Sequence, residues 1–130
     1  MGGPVLIDTN VFIDLFKGRL PEPAEDELTN TLNSEVYYLS VINKIELLGF
    51  ATDDLLQMQY MSEIVENSIV LPIEEQVVEQ VIQLRRSRKI KLPDAIIVAT
   101  ALVHKLTVIS RNTKDFAKVK GLQHVDPYKL

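Results

Sequence analysis

Short apolar runs alternate with longer stretches of helical spacing along this chain. Residues 5–8, 36–39, 69–71 and 107–110 are compact runs rich in Val, Ile, Leu and Tyr. Their length and β-branched content predict strands. Residues 53–67 carry apolar side chains at 55, 58, 61 and 65, and again at 56, 60 and 64. Residues 74–88 carry them at 77, 78, 81, 82 and 84. Both patterns predict helices. Shorter helices are expected over 11–17, closed by Gly18, over the acidic stretch 25–33, and over 41–50 with Ser40 as its cap. Pro21 and Pro23 mark a loop, and Pro72 stops the third strand. "LPDAIIVATALV" opens a further helix at residue 92, with Pro93 suited to its first position. That helix is apolar nearly all round, so it should be buried. Residues 115–118 read as one turn, and 124–126 as a last edge strand.

Strands buried on both faces read as continuous apolar runs, which is how a parallel sheet appears in a sequence. The expected fold is therefore α/β: a three-layer α/β/α domain around a central, mostly parallel sheet of four to five strands. At 130 residues the chain reads as a single domain over 1–130. It has no cysteine, which removes disulfide scaffolds, thiol catalysis and cysteine–zinc sites. The longest apolar run, 95–103, is broken only by Thr100 and is too short to span a bilayer. No basic segment followed by a signal-length apolar core opens the chain. A soluble, cytoplasmic protein is expected. The net charge is −4, so attraction to nucleic acid by overall charge is excluded. Any such contact must be local, or a cation must invert the sign of the site.

The acids then matter. In open parallel sheets, sites form beyond the carboxyl ends of the strands. Asp8 ends the first strand, and Ser110, Asn112 and Asp115 follow the fourth. Asp94 opens the buried helix that runs antiparallel to the strands, which brings it to the same edge. Glu46 lies about two turns into the helix after strand two and reaches the edge only if that helix leans across it. Each acid also has a purely structural reading. Asp8 can form an Asx turn, Asp94 can interact with a helix dipole, Glu46 can be solvated, and Asp115 can cap "FAKV". As a cluster they are harder to dismiss, because buried carboxylates repel one another and lose hydration. No lysine or arginine adjoins Asp8 or Asp94 in sequence, although Arg111 could reach in from the end of the fourth strand. A divalent cation is the natural compensation. An all-oxygen donor set suits Mg²⁺ or Mn²⁺ rather than zinc.

Four segments, "VLIDTNVFIDLF", "LSVINKIELLGF", "LPDAIIVATA" and "VISRNTKDF", together resemble the PIN-domain family, and within it the VapC-type toxins of toxin–antitoxin pairs. They occur in the family's order over nearly the whole chain. The resemblance implies a metal-dependent ribonuclease that cleaves RNA phosphodiesters with Mg²⁺ or Mn²⁺, tRNA and rRNA being common targets. It implies that Asp8, Glu46 and Asp94 take the three core acidic positions and that Asp115 is the fourth, more variable one. Asp8 and Asp94 would bind the principal metal, and Glu46 would bind metal or orient the attacking water. Asn10 and Ser110 match supporting polar positions. Asn112 stands where some relatives carry another acid, which leaves the second half of the metal site open. A homodimer and a cognate antitoxin are the implied partners.

Some features sit outside this reading. "LRRSRKIKL" gathers Arg85, Arg86, Arg88, Lys89 and Lys91, and Lys114, Lys118 and Lys120 form a second basic group. They suit RNA phosphate contacts, or simply the C-terminus of a helix. "DDLLQMQYMSEIVEN" offers either core packing or a Met-rich docking surface. His104 and His124 are assigned to structure. Three rival functions stand beside the toxin: a phosphotransfer enzyme with an aspartyl nucleophile, an inactive PIN-like assembly module, and a PIN nuclease of RNA processing outside any toxin pair.

Overall fold

The computed structural model describes residues 3–130. Five strands form one sheet in the order β3-β2-β1-β4-β5. They are β1 (Val5–Ile7), β2 (Tyr38–Ser40), β3 (Ile69–Leu71), β4 (Thr107–Ile109) and β5 (His124–Val125). Every pairing is parallel, so the sheet is wholly parallel rather than mostly so. The helices are α1 (Thr9–Phe16), α2 (Glu22–Ser34), α3 (Val41–Leu48), α4 (Leu55–Asn67), α5 (Glu75–Ser87), α6 (Leu92–His104) and the single turn α7 (Thr113–Phe116). A 3₁₀ turn, Pro127–Lys129, ends the chain.

The sheet is buried on both faces, and β1 shows how. Leu6 packs into one core with Val77, Leu84, Ile97 and Phe116, under α5 and α6. Val5 and Ile7 point the other way, into a second core with Phe12, Leu28, Leu39 and Met61, under α1, α2 and α4. The alternation of side chains along a strand sends neighbours to opposite faces. A strand that is apolar at every position therefore needs helices on both sides. As expected, α6 is the most buried helix, with Ala95 through Ala101 all inside.

Four expectations shift. The first helix begins at Thr9 rather than 11, because Asp8 itself is the N-cap. The second begins at Glu22 rather than 25, because Pro21 and Pro23 sit in its cap and first turn, where a missing N–H costs nothing. Strand two starts at Tyr38, leaving Val36 60% exposed. In α4 the inward face is Gln57, Met61 and Ile64, while Leu55, Leu56 and Met58 face solvent. The core-packing reading of 55 and 58 thus fails.

Strands β1, β2 and β3 step outward in one direction and β4 and β5 in the other. The switch between them falls at the β1–β4 pair, where Ile7 aligns with Ile109. Chains leaving two adjacent strands in opposite directions open a crevice at their carboxyl ends. The next residues along, Asp8 and Ser110, stand at that crevice.

Candidate active site

Asp8 is buried, and four donors converge on its carboxylate. Oδ1 accepts the Thr9 backbone N–H at 2.9 Å and Asn43 Nδ2 at 3.1 Å. Oδ2 accepts Ser110 Oγ at 2.9 Å and Asn10 Nδ2 at 3.2 Å. Each donor comes from a different local necessity. Thr9 is the first residue of α1, whose unpaired N–H groups seek an acceptor. Ser110 follows β4 and is locked in turn, since its hydroxyl accepts the Asn112 N–H at 3.0 Å. Asn43 is the third residue of a capping box: its Oδ1 accepts the Ser40 N–H at 2.9 Å, which turns its amide N–H group toward Asp8. Burial still outweighs these contacts and pushes the Asp8 carboxyl above the ordinary value, against the lowering pull of Ser110, Thr9, Asn43 and the Arg111 charge.

Glu46 does reach the edge. Thr9 Oγ1 donates to its Oε1 at 2.8 Å, while the same hydroxyl accepts Asn43 Nδ2 at 3.2 Å. Desolvation raises the Glu46 carboxyl, the Thr9 bond lowers it, and the charge of Asp8 raises it further. Asp94 lies in the first turn of α6. Its carboxyl is raised by burial first, then by Asp8, Asp115 and Glu46, with Lys91 pulling the other way. The four acids therefore share one field, but hydrogen bonds organise only Asp8 and Glu46.

Among the described residues, no three acidic or histidine side chains lie close enough to hold one ion between them. Asp8 and Glu46 are held in place by their donors, and Asp94 and Asp115 come from α6 and α7. By chemistry the set still suits a hard divalent cation: the donors are all oxygen, and three carboxyls are raised despite the lowering pull of Arg111 on Asp8 and of Lys91 on Asp94. Shared ligation requires the acids to draw closer together than they stand here.

Several supporting contacts were not legible beforehand. Arg111 makes no ion pair with Asp8 or Asp94 among the described residues, although its charge lowers the Asp8 carboxyl. Its Nη1 donates to both carboxylate oxygens of the fully buried Asp14, at 3.1 and 3.0 Å, where Tyr128 Oη also donates at 2.9 Å. The Arg111 N–H meanwhile donates to Asn10 Oδ1 at 3.4 Å. Asp115 is not a cap; Asn112 holds that position and Asp115 lies inside α7. His124 Nε2 pairs with the Ser110 carbonyl at 2.7 Å, and its ring stands edge-on to Phe116. His104 ends α6, with Nε2 buried and unpartnered.

This chain belongs to the PIN-domain family, whose profile matches residues 5–122. Its fold is similar to solved toxin–antitoxin structures across almost its whole length. A chain of a toxin–antitoxin complex from Klebsiella pneumoniae is 34% identical, with TM-score 0.75, covering 97% of this chain and 99% of that one. A chain of FitAcB from Neisseria gonorrhoeae is 28% identical, with TM-score 0.72, covering 97% and 99%. A chain of VapBC-1 from nontypeable Haemophilus influenzae has TM-score 0.76 at 23% identity, covering 95% and 98%, which speaks to fold alone. No curated protein sequence matches the chain. No helix among the described residues is long and apolar enough to cross a membrane.

Proposed function

We propose that this protein is the ribonuclease toxin of a toxin–antitoxin pair, acting in the cytoplasm on RNA phosphodiesters with Mg²⁺ or Mn²⁺. One observation carries the reading: Asp8 is buried at the switch point of a parallel sheet and presented by four donors to a field shared with three other acids. A fold does not need such an arrangement for stability, since burial raises the Asp8 carboxyl despite its four donors and the Arg111 charge.

Asp8, Glu46, Asp94 and Asp115 would hold the ion. When bound, it would polarise a phosphoryl oxygen and lower the pKa of a water. The protein's own groups do the rest. Ser110, Asn43 and Asn10, with the Thr9 N–H, hold the Asp8 carboxylate at the edge; two donors sit on each oxygen, so one of these contacts would give way to an ion. Thr9 holds Glu46 by Oε1, which leaves Oε2 to take a proton from the attacking water. The raised Glu46 carboxyl suits that role better than an ordinary one. Asn112 contributes only its backbone N–H to Ser110, so the second half of the site rests on Asp115.

Partners follow from the surface. Ile45, Leu48, Leu55, Leu56 and Met58 are exposed on α3 and the start of α4, where Leu48 and Met58 line one small cavity. A partner protein fits this face, as the antitoxin or the second copy of a homodimer. tRNA and rRNA are the substrate class carried over from the resemblance.

The test is incubation of the purified protein with tRNA and rRNA in Mg²⁺, Mn²⁺ or EDTA. Cleavage in either metal that EDTA abolishes supports the reading. A folded protein that cleaves neither RNA in either metal leaves an assembly module as the better account.

A further inference from the structure

The chain is acidic overall, yet its cations are not spread evenly. Two adjoining clefts flank the acidic edge where the α5–α6 turn meets α7. One, of about 240 Å³, is lined by Arg88, Lys89, Ile90, Lys114, Asp115 and Lys118. The other, of about 440 Å³, is lined by Arg85, Lys89, Ile90, Lys91 and Asp115. Asp115 lies on both, and it is one of the acids whose charge acts on Asp94. Lys91 acts on Asp94 too, with the opposite sign. The basic groove and the acidic edge are therefore contiguous.

Helix capping accounts for only part of this charge. Arg85 donates to the Ile90 carbonyl at 3.1 Å and Arg88 Nη1 to the Lys118 carbonyl at 3.1 Å, so both arginines brace loops. The ion pairs seen among the described residues all fall on Asp14. Lys89, Lys91, Lys114 and Lys118 thus keep unpaired ammonium groups on one groove. The lining has no aromatic side chain, so the groove is built for phosphates rather than for stacked bases.

We propose that this groove, with Arg88, Lys89, Lys91, Lys114 and Lys118 around Asp115, carries the phosphate backbone of a single-stranded RNA away from the acidic edge. The proposal rests on the ribonuclease reading for the identity of its ligand. It makes the contact one-sided: the strand is gripped where it leaves over the α5–α6 turn. Asp115 supplies the only negative charge lining either cleft, at the point where the groove joins the acidic edge.

The test is fluorescence anisotropy of a short labelled single-stranded RNA over a range of salt, in EDTA so that binding is read without cleavage. Lys89→Ala with Lys118→Ala should raise Kd about tenfold at low salt. Losing two phosphate contacts should also flatten the slope of log K against log salt by about 1.4, at roughly 0.7 per contact on a single strand. The charge-retaining pair Lys89→Arg and Lys118→Arg should bind like wild type. So should Lys17→Ala with Lys105→Ala, which removes the same charge elsewhere. A Kd and slope unmoved by the alanine pair would overturn the proposal. So would a wild type that binds a labelled polyglutamate peptide through these lysines but no RNA. Wild type that cleaves RNA while the alanine pair binds normally would sink the groove and leave the ribonuclease standing. Groove-dependent binding without cleavage in any metal would do the reverse.

Discussion

Asn43 Nδ2 donates to Asp8 Oδ1 at 3.1 Å, so a residue from the start of α3 presents the carboxylate at the end of β1. The same amide accepts the Ser40 N–H and thereby caps its own helix. One side chain starts α3 and aims Asp8. Asn43→Ala should cost about 1–3 kcal/mol, because it leaves a buried N–H and a buried carboxylate oxygen short of a partner. Urea denaturation reads this directly. An unchanged midpoint would mean that Asn43 is not part of the support.

Asp14 joins three parts of the chain. It sits inside α1 and takes Arg111 from the loop after β4 and Tyr128 from the final 3₁₀ turn. Asp14→Asn should lower stability by about 2 kcal/mol, the scale of hydrogen bonds made to a charged group. Because the Arg111 N–H also donates to Asn10, the variant should loosen the Ser110 loop as well. Amide hydrogen exchange at Arg111 and Asn112 should rise above that of residues in α5. Equal protection in variant and wild type would remove Asp14 from this role.

Acid should favour the metal-free protein at Asp94. Its carboxyl is raised above 3.8 by burial and by its acidic neighbours, so the folded chain binds that proton more tightly than the unfolded chain. The associated stability is fully present below pH 3.8 and is lost as pH rises through the raised value. Asp94→Asn removes that loss. In EDTA the variant should melt above wild type at neutral pH, and the gap should close on acidification below pH 3.8. A gap that stays constant with pH would show that the neighbouring acids do not act on Asp94.

Leu55 and Leu56 are 77% and 72% exposed, so they contribute little to the fold. Replacing both with Lys should shift stability by about 0.5 kcal/mol or less per residue. If the apolar face of α3 and α4 binds a second copy, sedimentation should show wild type as a dimer and the variant as a monomer. A dimer that survives the double substitution would place the self-contact on another surface.

Much of the sheet was legible because β1 is apolar at every position and β4 at all but Thr107, a pattern that burial on both faces explains. The acids at the strand ends were legible for the same reason: Asp8 breaks a run with no other polar member. What escaped was tertiary. Asn43 looks like an ordinary helical polar residue until its cap geometry is known, although its place three residues after Ser40 was a usable signal. Asp14 sits in an amphipathic turn, and nothing local announces partners 97 and 114 residues away. Leu55 and Met58 followed helical spacing, but periodicity does not say which of two apolar faces meets the core.

The most direct measurement is a calorimetric titration of Mn²⁺ into the purified protein beside Asp94→Asn, at neutral pH. The account predicts saturable binding to wild type and an affinity at least about tenfold weaker in the variant. A folded wild type that binds no Mn²⁺, or a variant that binds it equally well, would contradict the claim that this acidic edge holds a metal.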